Sequence, residues 1–101
     1  MDGTRFDSQA EATRYVELRL LLRAGKIELL ELQPAFELVQ KFTTRSGEKI
    51  RAISYVADFQ YVDLATGKTI VEDVKGMKTE VYKIKRKLLL WLYPDINFIE
   101  K

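Results

Sequence analysis

Residues 70–76 read Ile70-Val71-Glu72-Asp73-Val74-Lys75-Gly76, and the rest of the chain is best understood from this stretch outward. Two β-branched apolar residues followed by charged ones and a glycine describe a central strand leaving the interior. Side chains alternate across a strand, so Asp73 and Lys75 share one face and Glu72 takes the other. An acid and a lysine on one face of a central strand are costly to desolvate unless paired or given a ligand. A same-face ion pair near the strand end accounts equally well for Asp-x-Lys taken alone.

Upstream, Thr66-Gly67 marks a turn, preceded by a long strand expected from about Lys49 to Val62 with Ile53, Tyr55, Phe59 and Tyr61 on one parity. Asp58 interrupts its apolar pattern inside Ala57-Asp58-Phe59. Asp58 and Asp73 are fifteen residues apart, and a hairpin centred near Ala65 and Thr66 sets them opposite one another. Two carboxylates a few ångströms apart need a cation or a shared proton between them. Magnesium, which takes few carboxylates and keeps several waters, suits that arrangement. The plain alternative for Asp58 is an edge acid facing solvent.

Further upstream, Phe36, Leu38 and Phe42 alternate, which predicts a strand over about 35–44, closed by a Ser46-Gly47 turn. A short extended piece, Ile27 to Leu32, ends at Gln33-Pro34. The strands at 35–44, 49–62 and 69–75 are expected to form an antiparallel meander. The N-terminal part reads as a helix from an Asp7 or Ser8 cap to about Ala24, stopped by Gly25. Tyr15, Leu18 and Leu22 form its inward side, with Glu11 at the centre of that side. Glu11 is the third candidate metal ligand, although Ser8-x-x-Glu11 is also a capping box, which accounts for it without a metal.

Downstream, Thr79 caps a second helix that ends before Pro94. Val81, Ile84, Leu88, Trp91 and Leu92 are expected to face the core, with Lys78, Tyr82, Lys85 and Arg86 on the opposite, basic side. A final strand, Ile96 to Ile99, is expected parallel to the preceding one through a right-handed crossover. The expected fold class is α/β: helix, three strands, helix, strand, a mixed sheet flanked by two helices.

The 101 residues, 47% hydrophobic and 32% charged, predict one ordinary globular domain. No apolar run is long enough for a membrane span, and no signal-peptide pattern opens the chain. Histidine and cysteine are both absent, so thiol and Ser-His-Asp nucleophiles and Cys/His zinc sites are excluded. Enzymatic chemistry is left to carboxylates, lysine, hydroxyls and an oxygen-liking metal. The lack of cysteine suits a cytoplasmic location. The net charge is only +2, yet Lys75, Lys78, Lys83, Lys85, Arg86 and Lys87 cluster against Glu80 alone. Such a local excess fits an anionic partner, and it also fits a solvated helix face.

Glu11 on the first helix, Asp58 on the second strand and Asp73-Val74-Lys75 on the third resemble the PD-(D/E)XK nuclease superfamily. The segments Phe6-Asp7-Ser8, Ala57-Asp58-Phe59, Glu72-Asp73-Val74-Lys75-Gly76 and Tyr93-Pro94-Asp95 are similar to a small phage and prophage endonuclease family within it. Ala57 stands where the superfamily name has proline. The resemblance implies a restriction-endonuclease-like αβββαβ core and a metal-dependent endonuclease acting on DNA phosphodiesters. It implies magnesium, with manganese able to substitute, held by Asp58, Asp73 and the Val74 carbonyl, with Glu11 as a ligand or holding a metal-bound water. Lys75 would position and help deprotonate the attacking water. Lys78, Thr79, Tyr82, Lys85 and Arg86 would meet the phosphate backbone, Thr79 and Tyr82 having capping and packing as their plainer roles. Similar small members resolve branched DNA such as Holliday junctions as homodimers, so a structure-specific or nicking enzyme and a second copy of the chain are expected. The rival classes are a non-catalytic nucleic-acid-binding module of the same fold and an interaction protein of a phage-like assembly.

Overall fold

A computed structural model describes residues 8–74 and 78–101. Helix α1 (Gln9–Arg23) begins where the Ser8 hydroxyl accepts the Glu11 amide at 3.1 Å. Capping satisfies one of the amide donors that the first helical turn leaves without a partner. Gly25, at φ +73, turns the chain out of the helix in a region that a Cβ disfavours.

The central sheet has the order β1-β6-β7-β8, formed by β1 (Ile27–Leu32), β6 (Phe59–Asp63), β7 (Lys68–Asp73) and β8 (Asn97–Glu100). β1, β6 and β7 are antiparallel and β8 runs parallel to β7, so the sheet is mixed, as expected from the sequence. Helix α2 (Glu80–Leu92) supplies the crossover to β8. Successive residues of β7 feed two separate cores. Ile70 joins Tyr15, Leu18, Phe59 and Tyr61 under α1, whereas Val71 joins Leu38, Tyr55, Ala57, Tyr82 and Leu89 under α2. The two helices therefore cover opposite faces of the sheet. No described helix is long and apolar enough to cross a membrane.

The expected meander is corrected in its first member. The sheet takes β1 next to β6, and the 35–44 segment lies outside it, divided into β2 (Ala35–Val39) and β3 (Phe42–Thr43). The expected strand 49–62 is likewise three pieces: β4 (Lys49–Ile50), β5 (Ile53–Val56) and β6. β2 pairs with β5 and β3 with β4. Register explains how these pieces form one object. Leu32 faces Phe59 in the sheet and Ala35 faces Val56 beyond it, so no residue is inserted at the junction. The Gln33 amide donates to the Asp58 carbonyl and the Ala57 amide to the Pro34 carbonyl there. Chain 27–63 is thus one long hairpin that bends at Pro34 and Asp58 and leaves the sheet as an arm. Proline lacks the amide that a continuing ladder needs, and Gln33 takes φ 51, so the bend is written locally. The bend also separates residues of one parity: Tyr55 lies in the α2 core, Phe59 and Tyr61 in the α1 core.

The inward face of α2 is a second correction. Tyr82 and Leu89 are buried, whereas Val81, Ile84 and Trp91 are 62%, 60% and 80% exposed. Leu92 is exposed as well, and Leu88 is only partly buried. The sheet presents Val71 and Phe98 to this helix and the arm adds Tyr55, against which Tyr82 and Leu89 pack.

Candidate functional site

The site is built around the end of β7. Phe59 faces Glu72 in the β6–β7 ladder, and the Asp58 amide donates to the Glu72 carbonyl at 3.1 Å. The ladder ends at that pair, so Asp58 is not in register with Asp73, contrary to the arrangement expected from their spacing. Its amide and carboxylate instead bond to the Glu72 carbonyl and the Val74 amide, on either side of Asp73 in the chain. Asp73 is fully buried and accepts the Tyr55 hydroxyl. Asp58 is half-buried, and its Oδ2 accepts the Val74 amide at 2.6 Å. The bend at Asp58 carries the arm away from the sheet beside the end of β7, and Tyr55 of the arm reaches back to Asp73. Val74 also borders a cleft of about 630 Å³ lined by Gln9, Thr13, Arg14, Glu17 and Lys101.

Strand alternation separates Glu72 from this pair, as expected. Glu72 is fully buried under α1, where the Arg14 fork contacts it twice at 2.7 Å and the Tyr61 hydroxyl donates to it. Burial works against its charge, but Arg14 and Tyr61 outweigh that and hold its carboxyl below the usual range. Burial and the adjacent Glu72 push the Tyr61 hydroxyl well above its ordinary value. Bidentate pairing is the geometry in which a buried carboxylate is best compensated.

The remaining expected site residues fall as follows. Glu11 is buried on the Tyr15 and Leu18 side of α1, the helix on the Glu72 face. Among the described residues no group of three or more acids is gathered to hold a metal ion, so Glu11 does not complete such a set with Asp58 and Asp73. Lys75 lies outside the described residues. Thr79 caps α2, its hydroxyl accepting the Tyr82 amide at 3.1 Å. Tyr82, expected on the basic surface, is buried with its ring 6.2 Å from that of Tyr55. Burial and Glu100 raise its hydroxyl to about 12. Lys78 and Arg86 both reach Glu100, at 2.7 and 3.0 Å, and the Arg86 guanidinium lies 5.3 Å from the Phe98 ring centroid. Lys78, aided by Tyr82 and Arg86, holds the Glu100 carboxyl below its usual range. Lys85 lines a hollow of about 310 Å³ with Tyr55, Val56 and Tyr82.

Tyr55, Arg14 and Glu100 escaped the sequence reading. The parallel register sets Glu100 beside Asp73, 27 residues away in the chain, and no spacing rule signals that partner. Tyr55 was legible only as a core residue, since its hydroxyl reaches Asp73 from across the bend.

Chemically, two acids brought to one strand end in a chain without histidine or cysteine fit a hard divalent cation that keeps water in most of its shell. No curated protein and no solved structure matches the chain. Residues 1–100 match the model of the family described as "Protein of unknown function (DUF1064)", and the chain belongs to that family.

Proposed function

We propose that this protein is a divalent-metal-dependent endonuclease of the PD-(D/E)XK kind that hydrolyses DNA phosphodiester bonds, acting on branched DNA or as a nicking enzyme. The observation that carries this reading is Asp58 held at the end of β7, bonded to the Glu72 carbonyl and the Val74 amide on either side of Asp73, with Lys75 two residues beyond Asp73 in sequence. The element order and mixed sheet are compatible with a restriction-endonuclease-like core. A pair of neighbouring carboxylates beside a nucleic-acid backbone is repulsive unless a cation lies between them. A purely binding module therefore has no use for it, which favours the nuclease over the non-catalytic alternative.

Asp58, Asp73 and the Val74 carbonyl would hold the metal, water filling the rest of its shell without Glu11. Magnesium, or manganese in its place, would supply Lewis-acid polarisation and water activation. Tyr55 fixes the Asp73 carboxylate through its hydroxyl, and the Val74 amide fixes that of Asp58. Lys75 would position the attacking water and offset charge on the phosphorane. The partner surface on this reading is DNA, with Lys85 as an α2 contact. Lys78 and Arg86 would meet phosphate only by sharing their charge with Glu100.

The reading includes a homodimer, which would set one active site against each strand. The exposed stripe Val81, Ile84 and Trp91 on α2, with Val56 exposed on adjacent β5, is the apolar face such a dimer would bury.

The test is incubation of the protein with magnesium or manganese and duplex, single-stranded, flapped or four-way DNA. Cleavage by the wild type and its loss in Asp73→Asn and Lys75→Ala are expected. Equal cutting by these variants, or none by the wild type, overturns the proposal.

A further inference from the structure

The arm carries a charge pattern that the proposed site does not use. Its outer part, Lys41 to Arg51, holds four cations, Lys41, Arg45, Lys49 and Arg51, against the single acid Glu48. That surplus exceeds the +2 of the whole chain. All four are exposed, and none has a carboxylate partner among the described residues. This differs from α2, where Lys78 and Arg86 are tied to Glu100.

Register shows how the arm displays them. Val39 faces Ile53 and Phe42 faces Ile50, so no residue is inserted between these pairs and Lys41 stands opposite Arg51. Thr43 faces Lys49. Alternation then groups Lys41, Arg51, Thr43 and Lys49 on one face, and Phe42 and Ile50 on the other. Arg45 sits in the tip loop, where the Thr44 hydroxyl accepts the Glu48 amide at 3.0 Å and the Gly47 amide returns to the Thr44 carbonyl. Like charges placed directly across a ladder destabilise it, so this face is built against its own stability unless an anion meets it.

We infer that the arm formed by β3, β4 and their flanking residues is a second nucleic-acid contact, its Lys41, Lys49 and Arg51 face and the Arg45 of its tip loop binding the phosphate backbone of a duplex away from the Asp58 and Asp73 site. A two-stranded ribbon matches the width of a duplex groove. The arm is narrow, and the molecule extends 55 Å along its long axis against 29 and 23 Å across it. A lipid surface fits less well, since the exposed Phe42 and the cations lie on opposite faces and cannot enter one headgroup layer together. The inference rests on the nuclease reading only for the choice of nucleic acid as the polyanion, and it requires no cleavage.

The experiment compares wild type, the quadruple variant Lys41→Ser/Arg45→Ser/Lys49→Ser/Arg51→Ser, and Lys68→Ser, an exposed lysine outside the arm. Binding to a fluorescent duplex DNA is followed by anisotropy over a salt series with chelator present. Circular dichroism establishes folding, and the pair variants Lys41→Ser/Arg51→Ser and Arg45→Ser/Lys49→Ser serve if the quadruple one misfolds. The expected result is at least a tenfold weaker affinity and a salt slope shallower by about three to four for the quadruple variant, at about 0.9 per phosphate contact. Lys68→Ser should change the slope by less than about one. An unchanged slope in the arm variants, no duplex binding by the wild type, or an arm-dependent affinity for phosphatidylserine vesicles alone overturns the inference. Arm-dependent binding without metal-dependent cleavage upholds it while removing the nuclease reading.

Discussion

Tyr55 and Arg14 show how single side chains make buried acids tolerable in this protein. Removing the Tyr55 hydroxyl takes one donor from the Asp73 carboxylate, and on the proposed metal-binding reading such supporting partners commonly contribute a factor of 10 to 100 in affinity. Tyr55→Phe is therefore expected to weaken magnesium binding about tenfold, measured by calorimetric titration, while the fold persists. An affinity equal to wild type would separate Tyr55 from the site. Arg14 holds Glu72 where no solvent reaches it. Arg14→Ala strands a buried charge, and a loss of about 3–5 kcal/mol is expected in urea unfolding. The folded-state value of Glu72 lies below its reference of 4.5, so its contribution is present above that pH. It is lost as pH falls below 4.5 through the folded value, the direction in which the unfolded chain takes up the proton first. Glu72→Gln should flatten the acid limb of the stability curve, and an unaltered limb would contradict this account.

The second helix illustrates what periodicity can and cannot decide at the scale of an element. Its boundaries were legible, because Thr79 caps and Pro94 stops in any environment. Its inward side was not, because Val81, Ile84 and Trp91 make a helical stripe as well formed as the side that packs. Which side is buried depends on the sheet beneath, and Tyr55 and Phe98 receive Tyr82 and Leu89. Substitution distinguishes the two orientations directly. Leu89→Ala should cost about 2–5 kcal/mol, and Ile84→Ala no more than about 0.5 kcal/mol, in chemical denaturation. The reverse ranking would return the stripe to the core. If the stripe joins two copies, Trp91→Lys should shift the sedimentation coefficient from dimer to monomer without lowering monomer stability.

At the scale of the whole molecule, the bent hairpin divides the protein into a sheet covered by helices and an arm. The outer arm is held by its own two-stranded ladder, the kind of element that opens at low free-energy cost. Amides of residues 41–51 are expected to exchange with solvent well before those of β6 and β7. Limited trypsin digestion should cut first at Arg45 or Lys49, with the α1 and α2 cores still folded; first cleavage inside β6 or β7 would refute this division. The sequence alone determined the helices, the turns at Gly25, Gly47 and Gly67, the separation of Glu72 from Asp73, and the hairpin centred at Ala65 and Thr66, all of which depend on near neighbours along the chain or across one tight turn. Only the tertiary structure decided that Ile27–Leu32 is the strand next to β6, that α2 turns Tyr82 inward, and that Tyr55 reaches Asp73 while Glu100 holds Lys78 and Arg86. Those choices depend on which distant surfaces meet. In the stretch 70–76 alternation is a local property, and the partners waiting on either face are not.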